Sequence, residues 1–170
     1  MVELNFDSVA TKLPSMGIGA SSEGGVMELK EFVKPVVATH PQATIRHVSE
    51  TMVTEQRGAA VVLDDEGRLV GIISERDIVG RVVAKGCDPN TTLVSEVMTR
   101  GVRTITENVT IRKALELMQQ GRFRHLPLVD SSGLVVGMLS LRALMGQRIG
   151  ELALKNADLV AFISADGPGG

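Results

Sequence analysis

The sequence predicts an α+β fold built as an α/β-type repeat. Two tandem copies, each strand–helix–strand–strand–helix, pack together as a pseudo-twofold pair. Three observations predict it. The chain matches itself at a single offset of 66 residues without a gap, so that Thr44-Ile45-Arg46 returns as Thr110-Ile111-Arg112. The same register pairs Glu50 with Glu116, Met52 with Met118, Asp64 with Asp130, Val70-Gly71 with Val136-Gly137, Ser74 with Ser140 and Arg76 with Arg142. Each copy also repeats one order of hydrophobic periods, and a single copy is too small to bury its own apolar faces.

Taken in chain order, each copy opens with a short extended segment, Pro35 to Thr39 and then Gly101 to Ile105. A helix follows, opened by Thr44 or Thr110, both of which suit an N-cap. Ile45, Val48 and Met52 recur at helical spacing, as do Ile111, Ala114, Leu115 and Met118. Two apolar strands come next, Ala59 to Leu63 and His125 to Val129, each turning through an Asp- and Gly-containing loop. The return strands, Leu69 to Ile73 and Val135 to Leu139, run directly into second helices. This places repeat one at 33–90 and repeat two at 97–153. Residues 1–26 read as a flexible N-terminal arm, and 154–170 as a C-terminal helix with a frayed tail. Leu141 to Ile163 reads as one long helix broken at Gly146 and Gly150.

Composition excludes several function classes. The 170 residues carry 18 basic and 20 acidic side chains, a formal net charge of −2, which is not the footprint of a nucleic-acid or anionic-membrane binder. Aromatic content of 2% is too low for base-stacking platforms. One cysteine, Cys87, and three dispersed histidines give neither a disulfide nor a metal-ligand cluster. No apolar run reaches the ~18–20 residues of a membrane span, and the N-terminus lacks a secretory pattern, so a cytoplasmic setting is expected. His40 and His47 read as surface residues, Cys87 as inert, and Met98, Met118, Met138 and Met145 as core packing. No acid–base pair, activated nucleophile or metal cluster marks an enzyme.

The segment that could carry chemistry is Gly71-Ile72-Ile73-Ser74-Glu75-Arg76-Asp77, a buried strand ending at a hydroxyl that opens a helix. A helix start offers free N–H groups to an anion, Ser74 and Arg76 add donors, and Asp77 could accept both hydroxyls of a ribose. The same Ser-x-x-Asp is also a capping box, which stabilises a helix and binds nothing. Arg122, Arg124 and His125 cluster where the repeat-two helix meets its hairpin, either as a solvated basic rim or as an anion contact.

The gapless duplication, Leu126-Pro127-Leu128-Val129-Asp130, Gly-x-Val-Val-Gly and Ser74-Glu75-Arg76-Asp77 together resemble the cystathionine β-synthase (CBS) domain in tandem, a Bateman module, over about Val33 to Ile149. The resemblance implies a regulatory module that binds an adenosine nucleotide between the repeats. AMP is the first expectation, with ADP, ATP, NAD or S-adenosylmethionine as competitors. It implies a homodimer, an unknown protein target and no catalytic cofactor. Carried over residue by residue, it fills a first cleft with Ser74, Arg76 and Asp77 facing Val102, Thr104, Arg124 and His125. A second, weaker cleft takes Thr39, Ser140 and Arg142, with Ala143 in place of Asp77 and Gly58-Ala59 in place of Arg124-His125. The rival expectation is a ligand-free interaction scaffold on the same fold. The second helices carry Ile78-Val79, Val82-Val83 and Leu144-Met145, more apolar surface than one small core hides, which also points to a dimer.

Overall fold

The computed structural model describes residues 29–146. Repeat one contains β1 (Val37–Thr39), α1 (Ile45–Thr54), β2 (Ala59–Leu63), β3 (Leu69–Ser74) and α2 (Glu75–Arg81). A 3-10 turn at Val83–Lys85 and the short helix α3 (Val94–Val97) lead into repeat two. There follow α4 (Ile111–Gly121), β4 (His125–Val129), β5 (Val135–Ser140) and a helix α5 described over 141–146. The arm at 1–26 and the continuation of α5 lie outside the described residues.

Thr44 and Thr110 cap α1 and α4 as expected, accepting from the amides of His47 and Lys113. Both helices bury one stripe, with Ile45, Val48 and Met52 in α1 and Ala114 and Met118 in α4. Both end in the same turn, in which Gln56 (φ 52°) and Arg122 (φ 53°) are left-handed. The amides of Arg57 and Phe123 then return to the carbonyls of Met52 and Met118. That turn aims residues 57–59 and 124–125 at the space between the repeats.

The hairpins match their expected spans to within one residue. β2 and β3 pair antiparallel from Ala59–Ser74 onward, and β4 and β5 from His125–Ser140 onward. Asp64 Oδ1 accepts from the amides of Glu66 and Arg68 (3.1 and 2.8 Å), and Asp130 Oδ1 from those of Ser132 and Leu134 (2.8 and 3.1 Å). Two identical side-chain-to-backbone turns thus close the two hairpins.

The leading strands differ. β1 lies parallel to β2 through three residues, whereas the expected strand at 101–105 is reduced to one bridge, Ile105 with Leu128. Val129 N–H donates to Ile105 and Ile105 N–H to Pro127, but the next rung would need an N–H on Pro127. The ladder stops at the proline, and residues 102–104 are in no strand.

Each leading segment touches the other repeat before it joins its own. Lys34 exchanges backbone hydrogen bonds with Met138 of β5 (3.0 and 2.9 Å), and Thr99 with Ile72 of β3 (2.8 and 3.0 Å). Leu29 and Phe32, which precede repeat one, are buried in the core of repeat two. The crossings run over Gly71 and Gly137. A Cβ at Gly71 would meet the Met98 side chain and sit 3.3 Å from the Thr99 carbonyl oxygen. One at Gly137 would meet Val33 and sit 3.4 Å from that of Lys34. A third cluster, Val36, Val61, Val135 and Met138, joins the two repeat cores. Met98, Met118 and Met138 are buried as expected, but Met145 is 48% exposed. It is the residue after Leu144, which fills the repeat-two core at 2%, so the helix turns Met145 outward.

Candidate functional site

Between the repeats lies an open cleft of about 870 Å³. Its apolar wall is formed by Phe32, Val36, Met52, Val53 and Met138, contributed by the crossing segment, α1 and β5. The polar wall includes Lys34, Arg57, Arg124 and Arg142, with His125 and Ser140 beside them. Glu31 and Glu75 are the carboxylates of the lining. Among the described residues none of the four cations is in an ion pair.

His125 lines the same cleft. It faces Ser140 across the β4–β5 ladder, and its ring lies close enough to Gly58 that an added Cβ there would stand 3.4 Å from its Nε2 and 3.4 Å from Glu75 Oε2. Burial holds the imidazole below its ordinary pKa of 6.5. The positive charge of Arg124 pushes the same way, and Glu75 opposes it.

The cleft therefore brings together residues that the sequence assigns to two different sites. Arg124 and His125, expected in the first cleft, line the same space as Ser140, Arg142 and Ala143 of the second. Ser74, Arg76, Asp77, Val102, Thr104 and Thr39 are not part of this lining. Arg57, one residue before the Gly58 that stands in for Arg124, supplies a cation there, and Lys34 and Arg124 add two more. Register-by-register comparison passes over Arg57 because it stands opposite Phe123. The Arg-Gly pair ahead of β2 was the available signal.

At the start of α2, Ser74 and Asp77 form a complete capping box. Asp77 Oδ2 accepts from the Ser74 amide (2.9 Å) and hydroxyl (2.6 Å), and the Asp77 amide reaches Ser74 Oγ at 3.4 Å. Asp77 Oδ1 pairs with Arg81 at 3.0 Å. Arg81 continues to the Val97 carbonyl and, at 3.0 Å, to Thr99 Oγ1, tying α2 to the segment between the repeats. Arg76 and Thr104 are exposed and Val102 is half-buried. In repeat two, Ser140 Oγ accepts from the Ala143 amide (3.2 Å), so the cap is only half built. Thr39 is 6% exposed, and its hydroxyl has no hydrogen-bond partner among the described residues. His47 is exposed, while His40 is half-buried and pairs with Asp65 at 3.2 Å.

Among the described residues no group of His, Cys, Asp and Glu is placed to hold a metal ion, and no helix is long and apolar enough to cross a membrane.

Comparison with known proteins gives two matches to the CBS domain, over residues 28–84 and 94–149, together more than half of the chain. A 17.7 kDa uncharacterized protein of Acidianus ambivalens is 37% identical over 109 residues, covering 64% of this chain and 65% of that protein. Across the first curated relatives it matches, the chain spans between 21% and 65% of their length. The CBS domain protein PAE2072 from Pyrobaculum aerophilum, solved in complex with AMP, superposes with a TM-score of 0.67 at 30% identity. The match covers 76% of this chain and 99% of that one. The CBS domain pair of protein MJ0100, solved with 5-methylthioadenosine and S-adenosyl-L-methionine, superposes with a TM-score of 0.67 at 24% identity. That match covers 75% and 99% of the two chains and speaks to the fold alone.

Proposed function

The chain belongs to the CBS-domain family as a tandem pair, and from that premise we propose that it is a regulatory module, not an enzyme. It binds an adenosine-type ligand between its repeats and passes the signal through a homodimer or a partner protein in the cytoplasm. One observation carries the reading. The cleft is composite, with an apolar wall that suits a purine and cations from both repeats that suit a phosphate and, among the described residues, are in no ion pair. Each wall is built from both repeats, so a ligand there senses how the repeats sit together.

AMP is the first ligand to test, since the related Pyrobaculum protein was solved with it. ADP, ATP, NAD and S-adenosylmethionine are the competitors. Ser74, Arg76, Asp77, Val102, Thr104, Arg124 and His125 are the proposed contacts of the first cleft, and Thr39, Ser140 and Arg142 those of the second. The homodimer reading rests on Val79 of α2, Val83 of the 3-10 turn after it and Met145 of α5, which are 60%, 68% and 48% exposed.

Thermal-shift measurements against the five ligands test the proposal. A ligand confined to the folded state adds about 2.7 kcal/mol of stability at a hundredfold excess over its Kd. No shift with any of them would leave the scaffold reading, which the occupied Ser74–Asp77–Arg81 network favours. A monomeric mass by light scattering at micromolar concentration would remove the dimer.

A further inference from the structure

We infer that Arg81 is a positioning residue of the first cleft, holding the Asp77 carboxylate in register with the segment that carries Val102 and Thr104. This rests on the assignment of those three residues to that cleft under the proposed function, and it adds the side chain that joins the two walls. Asp77 Oδ2 takes the amide and the hydroxyl of Ser74 at 2.9 and 2.6 Å, and Oδ1 takes Arg81 at 3.0 Å. The carboxylate plane is therefore pinned at both ends. Of the roughly four lone-pair sites of a carboxylate, the one left for a ligand hydroxyl is on Oδ1, in a direction that Arg81 helps to set. The same guanidinium continues to the Val97 carbonyl and, at 3.0 Å, to Thr99 Oγ1. Its planar fork holds all three acceptors in a fixed relation, which a single ammonium does not.

The tie falls where the opposite wall needs it. Residues 102–104 are in no strand, and they hang between two anchors. One is Thr99, which exchanges backbone hydrogen bonds with Ile72 of β3 at 2.8 and 3.0 Å; the other is the bridge of Ile105 with Leu128 in repeat two. Arg81 fixes the first anchor relative to Asp77. An ion pair that only steadied α2 would stay on the helix, whereas Arg81 reaches acceptors 16 and 18 residues further along the chain. The duplication supports the same role. At the offset of 66, Asp77 and Arg81 become Ala143 and Gln147, the latter outside the described residues. At the other crossing, the residue bridged to Met138 is Lys34 where here it is Thr99. Carboxylate, guanidinium and hydroxyl are replaced together, as befits a unit that serves one cleft.

Calorimetric titration of the full chain with AMP, ATP and their 2′-deoxy and 3′-deoxy forms tests this, alongside hydrogen exchange of the ligand-free protein. The natural chain should prefer the ribonucleotide about tenfold over the deoxy form that lacks the hydroxyl on Asp77. Arg81→Gln should weaken the ribonucleotide about tenfold and that deoxy form by less than about threefold, so the preference narrows. A merely loosened fold would weaken both alike and leave the ratio unmoved, which overturns the inference. Arg81→Lys should recover part of the preference. Thr99→Val keeps the Asp77–Arg81 pair and cuts one tie to the segment, and it should weaken binding about threefold. In Arg81→Gln the amides of Ile72 and Thr99 should exchange about tenfold faster; unchanged exchange there overturns the tie whatever the ligand. Ligand-free melting of each variant establishes that it is folded. Unchanged or tighter nucleotide binding in folded Arg81→Gln overturns the positioning role and leaves the adenosine sensor standing. No binding of any of these nucleotides by the natural chain overturns the adenosine reading and the inference with it.

Discussion

At the start of α2, Asp77 completes a capping box with Ser74 and takes a guanidinium from Arg81 on the same helix. At the start of α5, the equivalent Ser140 accepts only from the amide of Ala143. The first helix start supplies its own counter-ions and spends them locally. The second lacks the carboxylate, and among the described residues the cations around it are in no ion pair. On electrostatic grounds, losing an acidic residue from a motif need not degrade a site. Removing a carboxylate from a basic neighbourhood raises its attraction for anions. Judged by motif alone, repeat one holds the better site. Judged by unspent charge, the cleft beside repeat two does.

The largest effect that separates the halves is steric. Gly137→Ala should destabilise by about 1–3 kcal/mol in chemical denaturation, because its Cβ drives into the stiff, β-branched Val33 of the crossing segment. The equivalent Gly71→Ala should cost less than about 1 kcal/mol, because the Met98 thioether can move aside. Equal costs would show that the two crossings are mechanically alike after all.

Next in size is the capping box. Asp77→Asn should cost about 1 kcal/mol of stability if it acts only as a cap, whereas a ribose contact would add a ten- to hundredfold loss of nucleotide affinity. Ala143→Asp should gain about 0.5 kcal/mol by completing the cap at Ser140. It should also weaken anion binding in the neighbouring cleft by placing a negative charge beside Arg142. Tighter nucleotide binding in that variant would reverse the comparison drawn above.

A pH titration sharpens it further. His125 has a folded-state pKa held below its ordinary 6.5, first by burial and then by Arg124. The unfolded chain therefore takes up this proton at a higher pH than the folded one. Its contribution to stability is present above about pH 6.5 and is lost as pH falls through that value toward the folded pKa. Urea midpoints between pH 8 and 5 should fall more steeply in the natural chain than in His125→Gln. The smallest effect is conformational. Arg122→Gly and Gln56→Gly each relieve a left-handed residue and should raise stability by about 0.5 kcal/mol, nearly equally, since the two turns are equivalent.

How much of this was legible in the sequence follows from how local each signal is. The hairpins were readable to within one residue because alternating apolar strands and an Asp-initiated turn are written within a dozen positions. Thr44 and Thr110 were readable for the same reason. The crossings were not. Nothing near Lys34 or Thr99 says which repeat's sheet will receive it, and Leu29 and Phe32 look like linker until their core is known to belong to the other copy. Pro127 was visible, but its reach was not. Its effect falls on the partner segment at 102–104, where the missing N–H ends a ladder, and not on its own strand. Arg57 was overlooked because strict alignment assumes that equivalent functions occupy equivalent positions. The turn at Gln56 presents residues 57 to 59 together, so a charge shifted by one position still reaches the cleft.

The exchange of leading segments carries a consequence for how such a molecule can change over generations. A single repeat would need a second copy of itself to supply the segment that crosses its sheet, and that pairing would depend on concentration. Joining two copies in one chain makes the same association intramolecular, at the millimolar effective concentrations of a short tether. It also breaks a symmetry. In a dimer of identical single repeats both clefts must be the same, because every substitution appears twice. In the joined chain each wall is written separately. An arginine can sit one position earlier in one half, and an aspartate can be lost from the other, without the change being copied across the axis.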